Sequence, residues 1–301
     1  MTTVASTWRM IPRRRLRVSS KWRNPVGIAG AVIVGFVVLT ALFGHLIWTI
    51  NPNDPAWNSF EPPSWAHPFG TDEIGRDTLA RVIHGAKVSL SVGAVAVGIA
   101  LSAGLAVGLV GAFYRGPLDF VLMRVVDVTF AFPLIILAML IAGLLGPSRT
   151  NAMIALGIVF FPAFARVIRA AVLEVMGFPF IESARSLGAG DVRLMTRHVL
   201  PNIIAPITVL TTVYFSQAIL AEATLSFLGL GTQPPEAAWG NMLATARSNI
   251  NRDIWPAIWP GLAIMIAVLG FNFLGDGLRD ILDPRIGGSV TDAAVIGKKK
   301  D

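Results

Sequence analysis

The chain offers few residues that could do chemistry. Its four histidines, at positions 45, 67, 84 and 198, lack the spacing of a metal site. It contains no cysteine, so thiol catalysis, disulfides and zinc–thiolate sites are excluded. No phosphate-binding loop, nucleophile elbow or H-E-x-x-H motif occurs. The sequence therefore predicts no catalytic residue, no metal or cofactor in this chain, and no ATP hydrolysis by it.

Two carboxylates in apolar surroundings, Asp127 and Glu222, are the remaining candidates for a functional site. A charged side chain at the bilayer centre costs about 2.5–3.5 kcal/mol on insertion scales, so each needs a partner or a purpose. Arg124 lies one turn before Asp127, which favours a structural pair over a role in gating. Glu222 precedes a glycine-rich turn, and it could line a substrate path or cap that turn.

The composition places these carboxylates in a membrane protein. Hydrophobic residues make up 54% of the 301 residues and charged residues only 14%, whereas soluble domains are about 25% charged. The mean hydropathy is +0.65. The net charge of +7 would raise nucleic-acid binding in a soluble protein, but here the basic residues flank apolar runs. We therefore expect contact with membrane lipid and not with nucleic acid.

Six segments are apolar enough to cross a bilayer, which requires roughly 20 residues of helix. The first follows a basic leader, as in a signal peptide, but its 25-residue apolar run is too long and no A-x-A site closes it. We therefore interpret it as an uncleaved span. The predicted spans are residues 26–50, 88–114, 125–146, 150–165, 199–221 and 254–275.

Glycines punctuate this pattern in two places. Gly104, Gly108 and Gly111 share one face of the second span, which predicts close packing against another helix. Gly229 and Gly231, followed by two prolines, predict a turn that ends the fifth span.

The distribution of positive charge predicts the orientation. With the N-terminus inside, nineteen Lys and Arg residues fall in cytoplasmic segments and six in external ones. The positive-inside rule then places both termini in the cytoplasm. The external segment after the first span could contact a partner protein or merely cover the spans.

The long cytoplasmic segment between the fourth and fifth spans contains the most informative pattern. A short amphipathic helix ends at a glycine, where a left-handed turn can close it. Asp191 is placed to cap a second helix that ends at a proline break. Such a helical hairpin suits insertion into a groove on a partner, although an ordinary connector is the alternative. Its candidate residues are Glu182, Ser183, Ala184, Arg185, Leu187, Gly188, Leu200 and Pro201.

The spacing Glu182-x-Ala184-x-x-x-Gly188 followed by Leu200-Pro201 resembles the EAA loop in permease subunits of bacterial ABC importers. Ser183 departs from that pattern, because alanine is usual there. Three further stretches resemble the second, C-type permease of dipeptide and oligopeptide importers. They are residues 67–77 with 85–90, residues 222–231 with 234–235 and 239–242, and residues 276–280 with 283–285.

The resemblance implies an all-α membrane protein with six transmembrane helices and the type I ABC importer permease fold, in the bacterial inner membrane. It divides the chain into a basic leader (1–25), the first span with its external segment (26–85), a permease domain (86–280) and a cytoplasmic tail (281–301). The EAA loop, at about 172–201, would contact an ATPase.

The same resemblance implies four kinds of partner: a second homologous permease, two cytoplasmic ATPase subunits that bind ATP and Mg²⁺, an external substrate-binding protein, and membrane lipid. Dipeptides or oligopeptides are the implied substrates, with nickel or glutathione as alternatives. A self-sufficient channel or secondary transporter should show ionisable residues deep in several spans or repeat symmetry, and neither is visible. An intramembrane enzyme lacks a nucleophile–base pair.

Overall fold

The computed structural model describes residues 24–282, so the basic leader and most of the tail lie outside the described residues. Within that range the regular structure is helical, apart from one isolated bridge between Thr71 and Asp77. The helices are α1 Pro25–Ile47, α2 Thr78–Tyr114, α3 Gly116–Phe130, α4 Leu134–Leu145, α5 Arg149–Met176, α6 Pro179–Ser186, α7 Asp191–Leu194, α8 Leu200–Phe227, α9 Trp239–Ser248 and α10 Trp255–Leu282.

Five helical runs are long and apolar enough to cross a membrane, and α3 with α4 makes a sixth if the pair counts as one span. The predicted class of an all-helical membrane protein with up to six spans is therefore confirmed. The third span was wrong as one continuous helix, because α3 and α4 meet at an angle of 92°. Pro133 lacks an N–H and disfavours helical geometry at Phe132, which explains the break. With 12 residues, α4 is about 18 Å long and cannot cross a bilayer alone.

Charged residues proved to be poor markers of the helix ends. The fourth predicted span was short because an arginine stood at each side, but α5 runs through Arg166 to Met176. Similarly, α8 continues six residues beyond the predicted end at residue 221, as far as Phe227. An arginine can lie inside a membrane helix when a neighbouring helix supplies its partner, and Arg166 has one.

The long helices alternate in direction around α2. Gly108 of α2 lies beside Ala165 of α5, and Ser91 near the start of α2 accepts a hydrogen bond from Arg149 at the start of α5, so these two helices are parallel. Ser89 of α2 bonds Glu222 near the end of α8, so α8 runs the opposite way. α1 and α10 are antiparallel, and Gly27 and Gly277 meet where one begins and the other ends.

This arrangement gives the bundle two distinct ends. One end carries the hairpin, residues 177–199, which joins α5 to α8. The other end carries residues 48–77, hereafter the crown, together with residues 228–254. Any signal that passes between the two ends must travel along the membrane helices.

Close helix contacts at glycine hold the bundle together, as the sequence predicts for α2. A Cβ added to Gly104 would lie 2.4 Å from the Cβ of Phe164, and one added to Gly108 would lie 2.5 Å from the carbonyl oxygen of Ala165. In lipid no hydrophobic force drives helices together, so such close approach supplies the packing energy. Gly229 has a φ of +79°, and the predicted turn after α8 is confirmed.

Candidate functional sites

The first half of the hairpin forms as the sequence predicts. Pro179 begins α6 at a position where its missing N–H is not needed. Gly188 ends the turn with a φ of +83°, and the N–H of Ala189 reaches back to the carbonyl of Ala184 at 3.1 Å. Glycine adopts this left-handed backbone conformation without steric cost, because it has no Cβ, which explains why a glycine closes the helix.

The second half of the hairpin differs from the prediction in two respects. Asp191 is not a cap: it is the first residue of α7, and Gly190 occupies the N-cap position without a side-chain bond. Pro201 does not break the chain into separate helices. A π turn over Met195–Val199 lets the Leu200 N–H bond the carbonyl five residues earlier, so the helix widens and passes the proline.

Apolar side chains at the tip of the hairpin face outward. Ile181 and Leu194 are buried at 2% and 0% exposure and attach the hairpin to the bundle. Leu187 and Val192, on either side of the turn, are 88% and 70% exposed. Exposed apolar groups that stand together commonly mark an interaction surface.

The predicted hairpin residues fall into two groups in the structure. Leu200 and Pro201 lie at the start of α8, away from the tip. The others share α6 and its closing turn, where most are exposed and Ala184 is half-buried: Glu182, Ser183, Ala184, Arg185, Leu187 and Gly188.

Asp127 is paired, but its predicted partner was wrong. Its carboxylate accepts a hydrogen bond from Arg166 of α5 at 2.6 Å. Arg124, one turn away on the same helix, instead lies over the ring of Phe120. Because α3 crosses α5, the tertiary fold offers Asp127 a partner on a neighbouring helix that sequence spacing cannot reveal.

A second ion pair on the same helix escaped the sequence analysis. Asp119 accepts two hydrogen bonds from Arg169 of α5, at 2.8 and 2.6 Å. Two such bonds fix the guanidinium in one plane with the carboxylate. The partners are fifty residues apart, and no local pattern connects them. Together the two pairs fasten α3 across α5.

Glu222 is fully buried and supports the turn after α8. Its carboxylate accepts hydrogen bonds from Ser89 at 3.0 Å and from Ser226 at 2.7 Å. The Ser226 hydroxyl in turn accepts the N–H of Thr232, beyond the glycine-rich turn, at 3.0 Å. Of the two predicted roles for Glu222, this geometry favours support of the turn over lining of a substrate path, because no part of Glu222 reaches solvent.

The crown contains a buried charge network that the sequence analysis missed. Asp72 accepts bonds from the N–H groups of Ile74 and Arg76 and from the Arg76 guanidinium at 2.6 Å. Arg81 of α2 approaches the same carboxylate at 3.5 Å and donates to the carbonyl of Pro52 at 3.0 Å. The sequence signal for this network is the cluster of three acids around one arginine at residues 72–77.

Asp77 joins the crown to α2. Its carboxylate caps the helix by accepting the Ala80 N–H at 2.6 Å, and it also accepts the indole N–H of Trp48 at 3.1 Å. Burial raises the pKa of Asp77 above its ordinary value, against the opposite effect of these bonds. On the exposed side of the crown, the amide of Asn58 lowers the pKa of Glu61, which also contacts His67.

Together these sites define a structural class. A bundle of apolar helices, an ordered crown at one end and an exposed helical hairpin at the other are typical of a membrane permease. Among residues 24–282, no three His, Asp or Glu side chains are grouped as metal ligands.

Family comparison agrees with this class. Residues 98–288 match the family of binding-protein-dependent transport system inner membrane components. Residues 6–63 match the N-terminal transmembrane domain of oligopeptide transport permease C. The chain belongs to the family of inner membrane components of binding-protein-dependent transport systems, as a multi-pass protein of the bacterial inner membrane.

Several relatives match nearly the whole chain. A putative peptide transport system permease of Brucella suis is 42% identical over 94% of this chain and 92% of its own. The dipeptide transport permease DppC of Alkalihalophilus pseudofirmus is 41% identical over 91% and 93%. A glutathione transport permease, GsiD of Pectobacterium atrosepticum, is 39% identical over 94% and 93%.

Solved structures support the fold. The inward-facing MetNI methionine ABC transporter aligns with a TM-score of 0.56 at 19% identity, over 67% of this chain and 96% of its own. An amino acid ABC transporter aligns with a TM-score of 0.53 at 24% identity, over 66% and 92%.

Proposed function

We propose that this chain is the permease subunit of an ATP-driven importer of dipeptides or oligopeptides, coupled to its ATPase through the hairpin. One observation carries the coupling: Leu187 and Val192 are exposed at the tip of an ordered hairpin outside the long apolar helices. Because a helix that offers apolar anchors suits a groove on another protein, a cytoplasmic ATPase is the partner proposed here.

The coupling follows from how the hairpin is joined to the bundle. α6 follows α5 after a two-residue connection, and α7 continues into α8 without a break. A displacement of the tip therefore moves the ends of two membrane helices directly. In the proposed cycle, the two ATPase subunits close on bound ATP and move the hairpin, which reorients α5 and α8. This movement opens the substrate path alternately to the outside and to the cytoplasm.

The remaining partners complete the importer. The proposed complex contains a second, homologous permease, two ATPase subunits that bind ATP and Mg²⁺, and an external substrate-binding protein. The positive-inside rule supports both termini and the hairpin in the cytoplasm, with the crown outside. The family's dependence on a binding protein also argues against a self-sufficient channel.

Glutathione import is the second candidate. It is favoured by relatives named as glutathione transport permeases, one of them 43% identical over 88% of this chain. Glutathione is itself a small peptide, so groups that bind peptide units along the substrate path suit both proposed substrates. Comparing uptake of labelled dipeptides, oligopeptides and glutathione by one preparation distinguishes them.

Transport by the reconstituted complex tests the proposal most directly. Vesicles that contain this chain with its partner permease, ATPases and binding protein should take up labelled peptide only with ATP. Vesicles with this chain alone should take up none. Uptake without the ATPase subunits would refute the proposal.

Orientation can be tested by labelling, because the chain contains no cysteine. Single cysteines at Trp65 in the crown and Leu187 in the hairpin place one thiol at each end, and both positions are highly exposed. An impermeant thiol reagent outside intact cells should label Trp65→Cys only. Labelling of Leu187→Cys in intact cells would place the hairpin outside and exclude an ATPase contact.

Two glycines of the hairpin allow a substitution and a matched control that test its coupling to the ATPase. Gly188 has a φ of +83°, whereas Gly190 has a φ of −71° that any residue can adopt. A Cβ at either position meets no other atom within 4 Å. Gly188→Val should therefore distort the hairpin and reduce ATP-dependent uptake, and Gly190→Val should not. Equal uptake by both variants would contradict the coupling role.

A further inference from the structure

The face of α8 that points away from α2 carries polar groups within the membrane. Gln217 is exposed near the middle of α8. The same face of α8 includes Asn202, which is also exposed, and Thr224, which is partly exposed. These positions recur at intervals of seven and fifteen residues, so they lie along one side of the helix. An amide in this position needs an explanation that packing within this chain does not give.

The depth of Gln217 excludes an interfacial position. Its neighbour Ser216 bonds Asn272 of α10 at 2.8 Å. Two residues earlier on α10, Gly270 packs against Ile33 of α1. Ile33 lies inside a 23-residue helix without Asp, Glu, Lys or Arg, well away from both of its ends. Gln217 therefore lies at the level of the hydrocarbon core.

Lipid is an unfavourable neighbour for this side chain. The threonines of α8 satisfy their hydroxyls within the helix, as Thr208 does with the carbonyl of Ile204 at 2.8 Å. The amide of Gln217 makes no hydrogen bond with the part of the chain that the structure describes. An unpaired amide in an apolar medium is strongly unfavourable, because leaving water removes hydrogen bonds that nothing replaces.

The outward face of α1 shows what contact with lipid looks like in the same protein. One exposed stripe along it is apolar throughout: Val32, Phe36, Leu39, Phe43 and Leu46. On α8 the exposed Gln217 lies one turn from the exposed, apolar Leu220, so the difference from α1 is this one amide, which needs water or a polar group beside it.

An open cleft continues this face towards the hairpin end. It has a volume of about 570 Å³ and lies between α5, α8 and α10. Pro206 and Val213 of α8 line it, and Arg279 of α10 is its one charged lining residue. Val213 is one turn from Gln217 along the same side of the helix. The volume is within the range of small-ligand sites, roughly 300–1,000 Å³.

The geometry points to this face as the wall of the peptide path, with Gln217 and Arg279 as the groups that contact the peptide in transit. The second permease would supply the opposite wall. A glutamine amide both donates and accepts, and it can exchange hydrogen bonds with each peptide unit that passes. A guanidinium can bind the terminal carboxylate through two parallel bonds. This inference rests on the proposed import of peptides.

Cysteine accessibility tests the path, since the native chain supplies no background thiol. Gln217→Cys is compared with Val32→Cys, because Val32 is 64% exposed on the outward face of α1, beside the Ile33 that sets the depth. In vesicles with cysteine-free partners, a water-soluble thiol reagent should modify Gln217→Cys and block uptake. Saturating peptide with ATP should slow that modification, and Val32→Cys should remain unmodified.

The outcomes separate this inference from the proposed function. Uptake by the native complex establishes the importer independently of the path. If the native complex transports but the thiol of Gln217→Cys is as inert as that of Val32→Cys, the face contacts lipid or packs dry against a subunit, and the path assignment is overturned. If no complex transports peptide, the proposed function fails first.

Arg279 has its own test, which uses peptides with a free or an amidated C-terminus. Arg279→Gln should raise the KM for the free-acid dipeptide roughly tenfold, because a hydrogen bond between charged groups is lost. The KM for the amidated dipeptide should change little. An equal effect on both peptides would show that Arg279 does not bind the carboxylate.

Discussion

Gly75 in the crown and Gly188 in the hairpin have the same backbone angle and opposite surroundings. Both have a φ of +83°. A Cβ at Gly75 would lie 1.9 Å from the carbonyl oxygen of Trp57, whereas one at Gly188 would meet nothing within 4 Å. The crown is fixed by tertiary contacts, but the tip of the hairpin is shaped by its own backbone alone.

The crown and the hairpin also differ in which side chains they bury. The crown buries Asp72, Arg76 and Asp77, while the hairpin exposes Leu187 and Val192. The buried charges of the crown pair with one another and with Arg81 of α2. The large apolar groups at the tip of the hairpin have no such contacts and would gain stability from a partner that covered them. One end of the bundle is therefore held by its own contacts, whereas the other end leaves apolar surface in water.

Removing the central acid of the crown should have the largest effect on stability. Asp72→Ala leaves two buried arginines without their shared partner, which costs about 3–5 kcal/mol of unfolding free energy. Glu73→Ala is the control: Glu73 is more exposed and holds Arg76 through a single contact, so we expect about 1 kcal/mol or less. Denaturant unfolding in detergent measures both. Equal losses would mean that the network does not stabilise the crown.

The two glycines come next in magnitude. Gly188→Ala carries only the strain of a left-handed alanine, about 1–2 kcal/mol. Gly75→Ala carries the same strain and a steric overlap, and it should therefore be the more destabilising change. Hydrogen exchange resolved to each segment should show opening of the crown in one variant and of the hairpin in the other. A larger effect at Gly188 would reverse the comparison.

The helix cap at Asp77 should contribute less. Asp77→Ala removes the acceptor for the Ala80 N–H, and a lost cap typically costs about 1 kcal/mol. Asp77→Asn keeps an acceptor oxygen and should cost less. Because burial raises the pKa of Asp77, its contribution to stability is full at acid pH and falls as pH rises through that raised pKa.

The pH dependence provides the check on Asp77. Thermal unfolding of the native protein should lose this contribution between the ordinary aspartate range and the raised pKa, and Asp77→Asn should not. An identical pH dependence in both proteins would contradict the raised pKa.

The smallest effect on stability is expected at the tip of the hairpin. Leu187→Ser removes an apolar side chain that is already in water, so unfolding should change by no more than about 0.5 kcal/mol. ATP-dependent uptake should nevertheless fall, since the anchor for the ATPase is lost. A stable variant with full uptake would show that the tip is an ordinary connector.

Local chemistry explains what could be predicted of the sites. Gly188 was correctly placed at the end of a helix, because only its own backbone decides that position. Asp127 was paired with the wrong arginine, and the link between Asp119 and Arg169 was not foreseen, because both partners come from another helix. The break at Pro133 follows from a local rule, but the size of the bend does not.

The sequence by itself determined a helical membrane protein, its apolar segments and a glycine-closed hairpin, since apolar length and backbone preference are local properties. Only the tertiary structure decided which charges meet, how α3 crosses α5, and that Gln217 faces outward from α8. The rotation of a helix about its axis and the choice among distant partners depend on packing. Packing is a property of the whole bundle, and no single segment encodes it.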